Sequence, residues 1–162
     1  YAVQLAKAFG AQVTGVCSTA KTDLVRSIGA DHVIDYKHDD FADGSRHYDL
    51  IVDIAGNRPL SVLRRALTPK GTLAIVGGEG GGRLTGGFER SLGAGLLSAF
   101  VGQQLKGVMS VERAEDLRYL TGLIEAGAVT PVIGKSYALA DAPAAIQDLR
   151  EGKVRGKAVV TV

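Results

Sequence analysis

Residues Gln12 to Tyr36, QVTGVCSTAKTDLVRSIGADHVIDY, constrain this chain more than any other stretch. Gln12 to Cys17 is a short, mostly apolar run of strand length. Leu24, Val25 and Ile28 then recur at helical spacing and stop at Gly29, and Val33-Ile34 form a second apolar run ending at Asp35-Tyr36. Strand, helix and strand in this order make a β-α-β step, and strands joined through a helix run parallel.

The alternation continues to the end of the chain. Residues 2–9 place Ala2, Val3, Leu5, Ala6 and Phe9 on one helical face. The segment 37–47 is polar and reads as loop, with one helical turn around Phe41. Leu50 to Ile54 and Thr72 to Val76 read as buried strands. A helix over 59–67 starts with Pro59, whose missing N–H costs nothing there, and Thr68-Pro69-Lys70-Gly71 reads as a turn. Helices are expected near 89–102 and 112–126, with a strand near 105–110. A strand within Val129 to Tyr137, a helix from Asp141 to Arg150 with Pro143 in its first turn, and a strand over Ala158 to Val162 form a final β-α-β unit. Gly10, Gly29, Gly127 and Gly152 each follow an amphipathic run, where a helix needs a left-handed cap. The class is α/β with a doubly wound parallel sheet.

Composition removes several other classes. Nineteen basic against 17 acidic residues leave +2, which is no nucleic-acid footprint. A hydrophobic content of 46% suits a globular chain and is too high for a disordered one. No stretch reaches the roughly 18 apolar residues of a membrane span. The single cysteine, Cys17, excludes an internal disulfide and a thiolate metal cage. No signal peptide is visible, and a cytoplasmic protein is expected.

A sheet that binds a dinucleotide opens with a strand running into a Gly-x-Gly-x-x-Gly turn and a helix. This sequence begins in what reads as that helix. The expected fold is therefore a Rossmann-like sheet lacking its first strand and its Gly-rich loop. A central strand with four buried aliphatic residues is worth on the order of 6–12 kcal/mol, so a neighbour is expected to fill the gap.

The segments AVQLAKAFGAQVTGVCST, LVRSIGADHVIDY, YDLIVDIAGN, LTPKGTLAIVGGEGGG and LIEAGAVTPVIGKSYALADAPAAIQDLREGKVRGKAVVTV, in this order, resemble the medium-chain dehydrogenase/reductase family. The resemblance is to its zinc-free, quinone-oxidoreductase-like branch, often labelled NAD(P)-dependent alcohol dehydrogenase or zinc-binding dehydrogenase. It implies a partial cofactor domain over 1–128 and a tail over 129–162 that returns to a catalytic domain. It further implies hydride transfer to a quinone, enone or carbonyl substrate, and a homodimer through the strand near 105–110; exchange of elements between copies is expected from the missing strand. This chain alone is expected to be inactive and to bind NADPH weakly.

The end of the first complete strand bears on the cofactor. NAD binders place Asp or Glu there to accept from the ribose hydroxyls. Here the run is Val16-Cys17-Ser18-Thr19, without a carboxylate, and Lys21 follows. A hydroxyl and an ammonium suit a 2′-phosphate, each charge-assisted hydrogen bond being worth roughly 1.5–3 kcal/mol. By resemblance Ser18, Lys21 and Tyr36 form the adenosine-phosphate pocket of NADP(H). The plainer reading makes Ser18 a helix cap and Lys21 a solvated lysine. Ala55 and Gly56, after the strand at 50–54, are small enough to let a ribose approach the backbone, or form a plain turn. Val76, Gly77 and Gly78 line the nicotinamide by resemblance. Gly156-Lys157 reads as structural.

No metal site is read from the histidines and aspartates of 32–47, which lack metal-ligand spacing. No Tyr-x-x-x-Lys or other nucleophile–base pair is present, so no catalytic side chain is assigned. In zinc-free reductases the nicotinamide itself supplies the hydride. The alternatives are the cofactor domain of a zinc-dependent alcohol dehydrogenase and a non-enzymatic Rossmann-like binding domain.

Overall fold

The computed structural model describes residues 1–55, 57–77, 88–98, 101–109 and 111–162, with side chains from 93 onward in the helix that starts at Phe88. In chain order the elements are α1 (Ala2–Ala8), β1 (Thr14–Cys17), α2 (Thr22–Ser27), β2 (His32–Asp35), β3 (Tyr48–Asp53), α3 (Leu60–Ala66), β4 (Leu67–Ile75), α4 (Phe88–Ser98), β5 (Gln104–Gly107), α5 (Ala114–Glu125), β6 (Ile133–Ala138), α6 (Ala142–Arg150) and β7 (Lys157–Thr161). Short 3-10 turns occupy Thr19–Lys21 and Leu139–Asp141. Every strand pairing among the described residues is parallel: β1 with β2, β3 with β4, β4 with β5, and β6 with β7. This is the expected α/β class.

The chain divides into two units, Tyr1–Asp39 with Glu112–Val162, and Asp40–Val111. In the first, the Asp31 carboxylate accepts from the Val13 N–H at 2.7 Å and from Lys7 at 2.9 Å. One side chain thus ties α1, the entry to β1 and the approach to β2. Gln4 and Thr130 exchange two hydrogen bonds, from Thr130 N–H to Oε1 and from Nε2 to the Thr130 carbonyl, which fasten α1 to the segment after α5. The Phe9 and Tyr119 rings stack at 6.5 Å. Val129, Ala30, Val154, Ala145, Tyr137 and Cys17 are the buried hydrophobic residues described here. The helix-ending glycines behave as expected, with φ of +79° at Gly10, +103° at Gly29, +72° at Gly127 and +68° at Gly152.

The second unit holds a three-stranded sheet, β3-β4-β5. Leu73 and Ile75 of β4 point to one face, Leu73 pairs in register with Leu105 of β5, and Leu63 of α3 and Ala94 of α4 join them in one cluster. Both helices therefore cover the same face. Ile51 of β3 and Phe41 pack against this cluster, whereas Leu50, Val52 and Ile54 are exposed. The expectation of a wholly buried strand over 50–54 fails because the covering helices lie on one side of this sheet.

Two further readings change. Thr68 to Gly71 lies within β4, where Tyr48 pairs with Leu67 and Leu50 with Thr72. The residues read as a turn loop out of the ladder as a bulge, as proline and glycine in a strand permit. The helical turn expected around Phe41 is absent; that segment holds turns and bends only. Pro59 is the N-cap of α3 rather than its first residue, and Asp141 is the N-cap of α6 as expected, without a side-chain capping bond.

Candidate functional site

The carboxyl ends of β1 and β2 meet in register, Cys17 opposite Asp35. The Tyr36 N–H donates to the Cys17 carbonyl at 3.1 Å, extending the ladder by one step. On the other chain segment β1 runs into Ser18, and the Lys21 N–H donates back to the Ser18 carbonyl at 2.8 Å to close a 3-10 turn. Ser18, Lys21 and Tyr36 therefore leave the same end of the same strand pair. Ser18 and Lys21 are half-buried and Tyr36 is exposed. Ser18 stands at the N-cap of the 3-10 turn, yet its hydroxyl makes no capping hydrogen bond. Among the described residues no carboxylate pairs with Lys21. Packing beneath the site is tight: a side chain at Gly15 would run into Val25 of α2.

Sequence reasoning missed Asp35 and Thr19. The Asp35 side chain is only 13% exposed. Its Oδ1 accepts from the Lys37 N–H at 3.0 Å, and His38 Nε2 lies 3.8 Å from Oδ2. The Thr19 side chain is the largest of the influences holding this carboxyl below the usual carboxylate range. A carboxylate absent from the end of β1 is thus supplied across the ladder by β2. The only sequence signal was the acidic end of the Val33-Ile34 run. Burial, then Asp35, pushes the Cys17 thiol up, against a downward pull from Lys21 and Arg26. Cys17 is a buried strand residue.

The other group of expected site residues lies on the second unit, at the carboxyl ends of β3 and β4. Asp53 pairs in register with Ile75, and the Val76 and Gly77 N–H groups both donate to the Asp53 carbonyl, at 2.9 and 3.2 Å. The backbones then converge so closely that a Cβ on Gly77 would collide with the Ile54 carbonyl. Ala55 and Val76 are exposed and Gly77 is half-buried beside them. Asp53, a residue 9% exposed, is a buried acidic residue at this strand end that sequence reasoning did not single out. Gly56 and Gly78, also expected at the site, lie outside the described residues.

Among the described residues no three His, Cys, Asp or Glu side chains gather to hold a metal. Asp43 is occupied by the Ser45 N–H and hydroxyl at 2.8 and 2.7 Å, Asp40 accepts from the Ala42 N–H, and His38 faces Asp35. With Cys17 buried besides, the residues described do not fit a zinc ion. The Lys157 N–H donates to the Val132 carbonyl at 2.7 Å, and the Lys157 ammonium lies 5.1 Å from the Tyr1 ring centroid. No helix of the described residues is long and apolar enough to cross a membrane.

One hydroxyl, one ammonium and one phenol stand at β1 and β2, at the edge where open α/β sheets take ligands, which fits a dinucleotide. Comparison with known proteins agrees with that architecture. Residues 28–160 match the family model described as zinc-binding dehydrogenase. A chloroplastic quinone oxidoreductase of Triphysaria versicolor is 32% identical over 99% of this chain and 48% of its own length. A mitochondrial NAD(P)H oxidoreductase of Bos taurus is 31% identical over all of this chain and 44% of its own. The solved quinone oxidoreductase of Coxiella burnetii superposes with a TM-score of 0.78 at 25% identity, over 99% of this chain and 48% of that one. The chain spans about half the length of the curated relatives it matches. By family match and fold, the chain belongs to the zinc-binding dehydrogenase family of medium-chain dehydrogenase/reductases, as part of its Rossmann-like cofactor domain.

Proposed function

We propose that this chain is the NADP(H)-binding portion of a zinc-free oxidoreductase acting on an electron-poor C=C or C=O bond, with a quinone or enone as the substrate class. When bound, the nicotinamide supplies the hydride. The chain's own residues bind and orient it. Ser18, Lys21 and Tyr36 hold the 2′-phosphate by a hydroxyl, an ammonium and a phenol. Ala55 and Gly56 admit a ribose to the backbone after β3, and Val76, Gly77 and Gly78 line the nicotinamide ring after β4. The cofactor domain runs over 1–128, and 129–162 returns to a catalytic domain.

The observation that carries this reading is the common departure of Ser18, Lys21 and Tyr36 from one end of the β1–β2 pair, with the Ser18 hydroxyl not used as a cap. A homodimer through β5 belongs to the same reading: among the described residues β5 pairs only with β4, and Val108, Met109 and Val111 beyond it are exposed. A cytoplasmic location belongs to the same reading, on the ground of a single cysteine in the sequence. The decisive experiment is cofactor preference in the intact protein. Lys21→Glu should lower the ratio of kcat/KM for NADPH over NADH at least about tenfold, the equivalent of one charge-assisted contact. A ratio unchanged by that substitution refutes the assignment.

A further inference from the structure

We infer that Gln4 is a positioning residue: its side-chain amide straps the junction between α5 and β6 to α1, and so fixes the tail 129–162 against the helix that leads into β1. The inference rests on the reading above that this tail returns to a catalytic domain, and it deepens that reading. Thr130 lies in the junction, in no helix or strand. Its N–H donates to Gln4 Oε1 at 2.6 Å, and Gln4 Nε2 donates to its carbonyl at 2.9 Å, across 126 positions of sequence. One amide gives this residue both of the bonds that a neighbouring strand would give it. Among the described residues no other hydrogen bond reaches either group.

The rest of the junction has no slack. Gly127 takes a φ of +72°, the Ala128 and Val129 N–H groups both donate to the Leu123 carbonyl at 2.9 and 3.1 Å, and Val129 is wholly buried. Pro131 has a fixed φ and no N–H to offer, and the Val132 carbonyl accepts from the Lys157 N–H of β7 at 2.7 Å. These ties hold the junction to α5 and to the tail itself. Gln4 supplies the hydrogen bonds that hold it to α1. That helix has seven residues, none of them buried, and is too short to keep its place unaided. One turn on, Lys7 bonds Asp31 at 2.9 Å, and Asp31 accepts from the Val13 N–H at the entry to β1. Positions 4 and 7 of α1 therefore join the tail junction to the β1–β2 pair whose far end carries Ser18, Lys21 and Tyr36. Loss of the strap leaves that far end intact and frees the orientation of the tail. Misplacing one wall of a reaction site costs turnover rather than cofactor affinity.

The test uses the intact protein and three measurements: hydrogen–deuterium exchange at the Thr130 amide, NADPH dissociation by fluorescence titration, and kcat for the reduction of 1,4-benzoquinone by NADPH. Thr130 is held through its backbone, so the substitution is made at Gln4. Gln4→Met keeps nearly the same length without donor or acceptor. It should speed Thr130 exchange and lower kcat at least about tenfold each, with the NADPH dissociation constant within about threefold of the wild type. Gln4→Glu keeps an acceptor for the Thr130 N–H and should stay within about threefold of the wild type in exchange and in kcat. Unchanged exchange in Gln4→Met overturns the strap, as does exchange in Gln4→Glu as fast as in Gln4→Met. Faster exchange with an unchanged kcat, or a loss of kcat matched by a loss of NADPH affinity, overturns the positioning role. A wild-type protein that reduces no quinone refutes the functional reading and the positioning role with it. Exchange at Thr130, which needs no turnover, then decides the strap by itself.

Discussion

The Tyr137 hydroxyl donates to Asp148 Oδ2 at 2.8 Å, joining β6 to α6 through a buried ring and a helix carboxylate. Lys135 donates to the same oxygen at 2.8 Å, with its ammonium 4.7 Å from the Tyr137 ring centroid, and Lys153 approaches Oδ1 at 4.0 Å. Asp148 is the hub. The hydrogen bond from Lys135, then that from Tyr137, holds its carboxyl below the usual range, and the bond that Lys135 donates to Asp148 raises Lys135 in turn. Burial first, then Asp148, raises the Tyr137 phenol.

The stability these groups give has a definite pH window. A depressed carboxyl contributes above its unfolded value, about 4, and loses that contribution as pH falls through the lower folded value. A raised lysine or phenol contributes fully below its unfolded value, about 10, and loses it as pH rises through the higher folded one. The unfolding midpoint should therefore hold a plateau between these limits and fall on both sides. Asp148→Asn should lower the plateau and flatten both limbs, read by thermal unfolding across the pH range. Limbs as steep in the variant as in the parent would show that the hub carries no linkage.

Leu73 and Leu50 sit on neighbouring strands of one sheet with opposite consequences. Leu73 is 0% exposed in the core beneath α3 and α4, whereas Leu50 is 57% exposed on the other face. Leu73→Ala leaves a cavity and should cost about 2–5 kcal/mol. Leu50→Ala removes little buried area and should stay within about 0.5 kcal/mol. Urea unfolding of the two variants distinguishes them. Equal costs would mean that the face bearing Leu50 is covered in solution.

That contrast marks where sequence reasoning stops. The helix ends were legible because a left-handed cap needs glycine locally, and Gly10, Gly29, Gly127 and Gly152 adopt it. Element order was legible because strand and helix periods differ. Which face of β3 is covered was not, because a continuous apolar run such as Leu50 to Ile54 carries no alternation to read. The bulge at Thr68 to Gly71 was taken for a turn because proline and glycine mark both, and only the pairing of Tyr48 and Leu50 across it separates them.

The site divides in the same way. That Ser18, Lys21 and Tyr36 leave one end of a strand pair was legible from their places just past two strands. The place of Asp35 was not, because it depends on the register that sets it against Cys17 of the neighbouring strand. Such long-range pairing leaves no trace in local composition. The crowding of Gly77 against Ile54 is hidden for the same reason.

Gly77 and Gly93 provide a matched pair of substitutions for that last point. A methyl group at Gly77 would meet the Ile54 carbonyl, so β3 and β4 must part at the ends that carry Ala55 and Val76. Gly77→Ala should cost about 1–3 kcal/mol, the usual penalty of overpacking. It should also weaken cofactor binding in the intact protein, since the parted backbones are the ones we assign to the ribose and nicotinamide. At Gly93, within α4, the same methyl group meets nothing within 4 Å. Gly93→Ala should therefore gain up to about 1 kcal/mol from the lower entropy of the unfolded helix residue and leave cofactor affinity alone. Denaturant unfolding and NADPH titration of both variants check the pair. If Gly77→Ala were as mild as Gly93→Ala in both measurements, the close approach of β3 and β4 would not hold in solution.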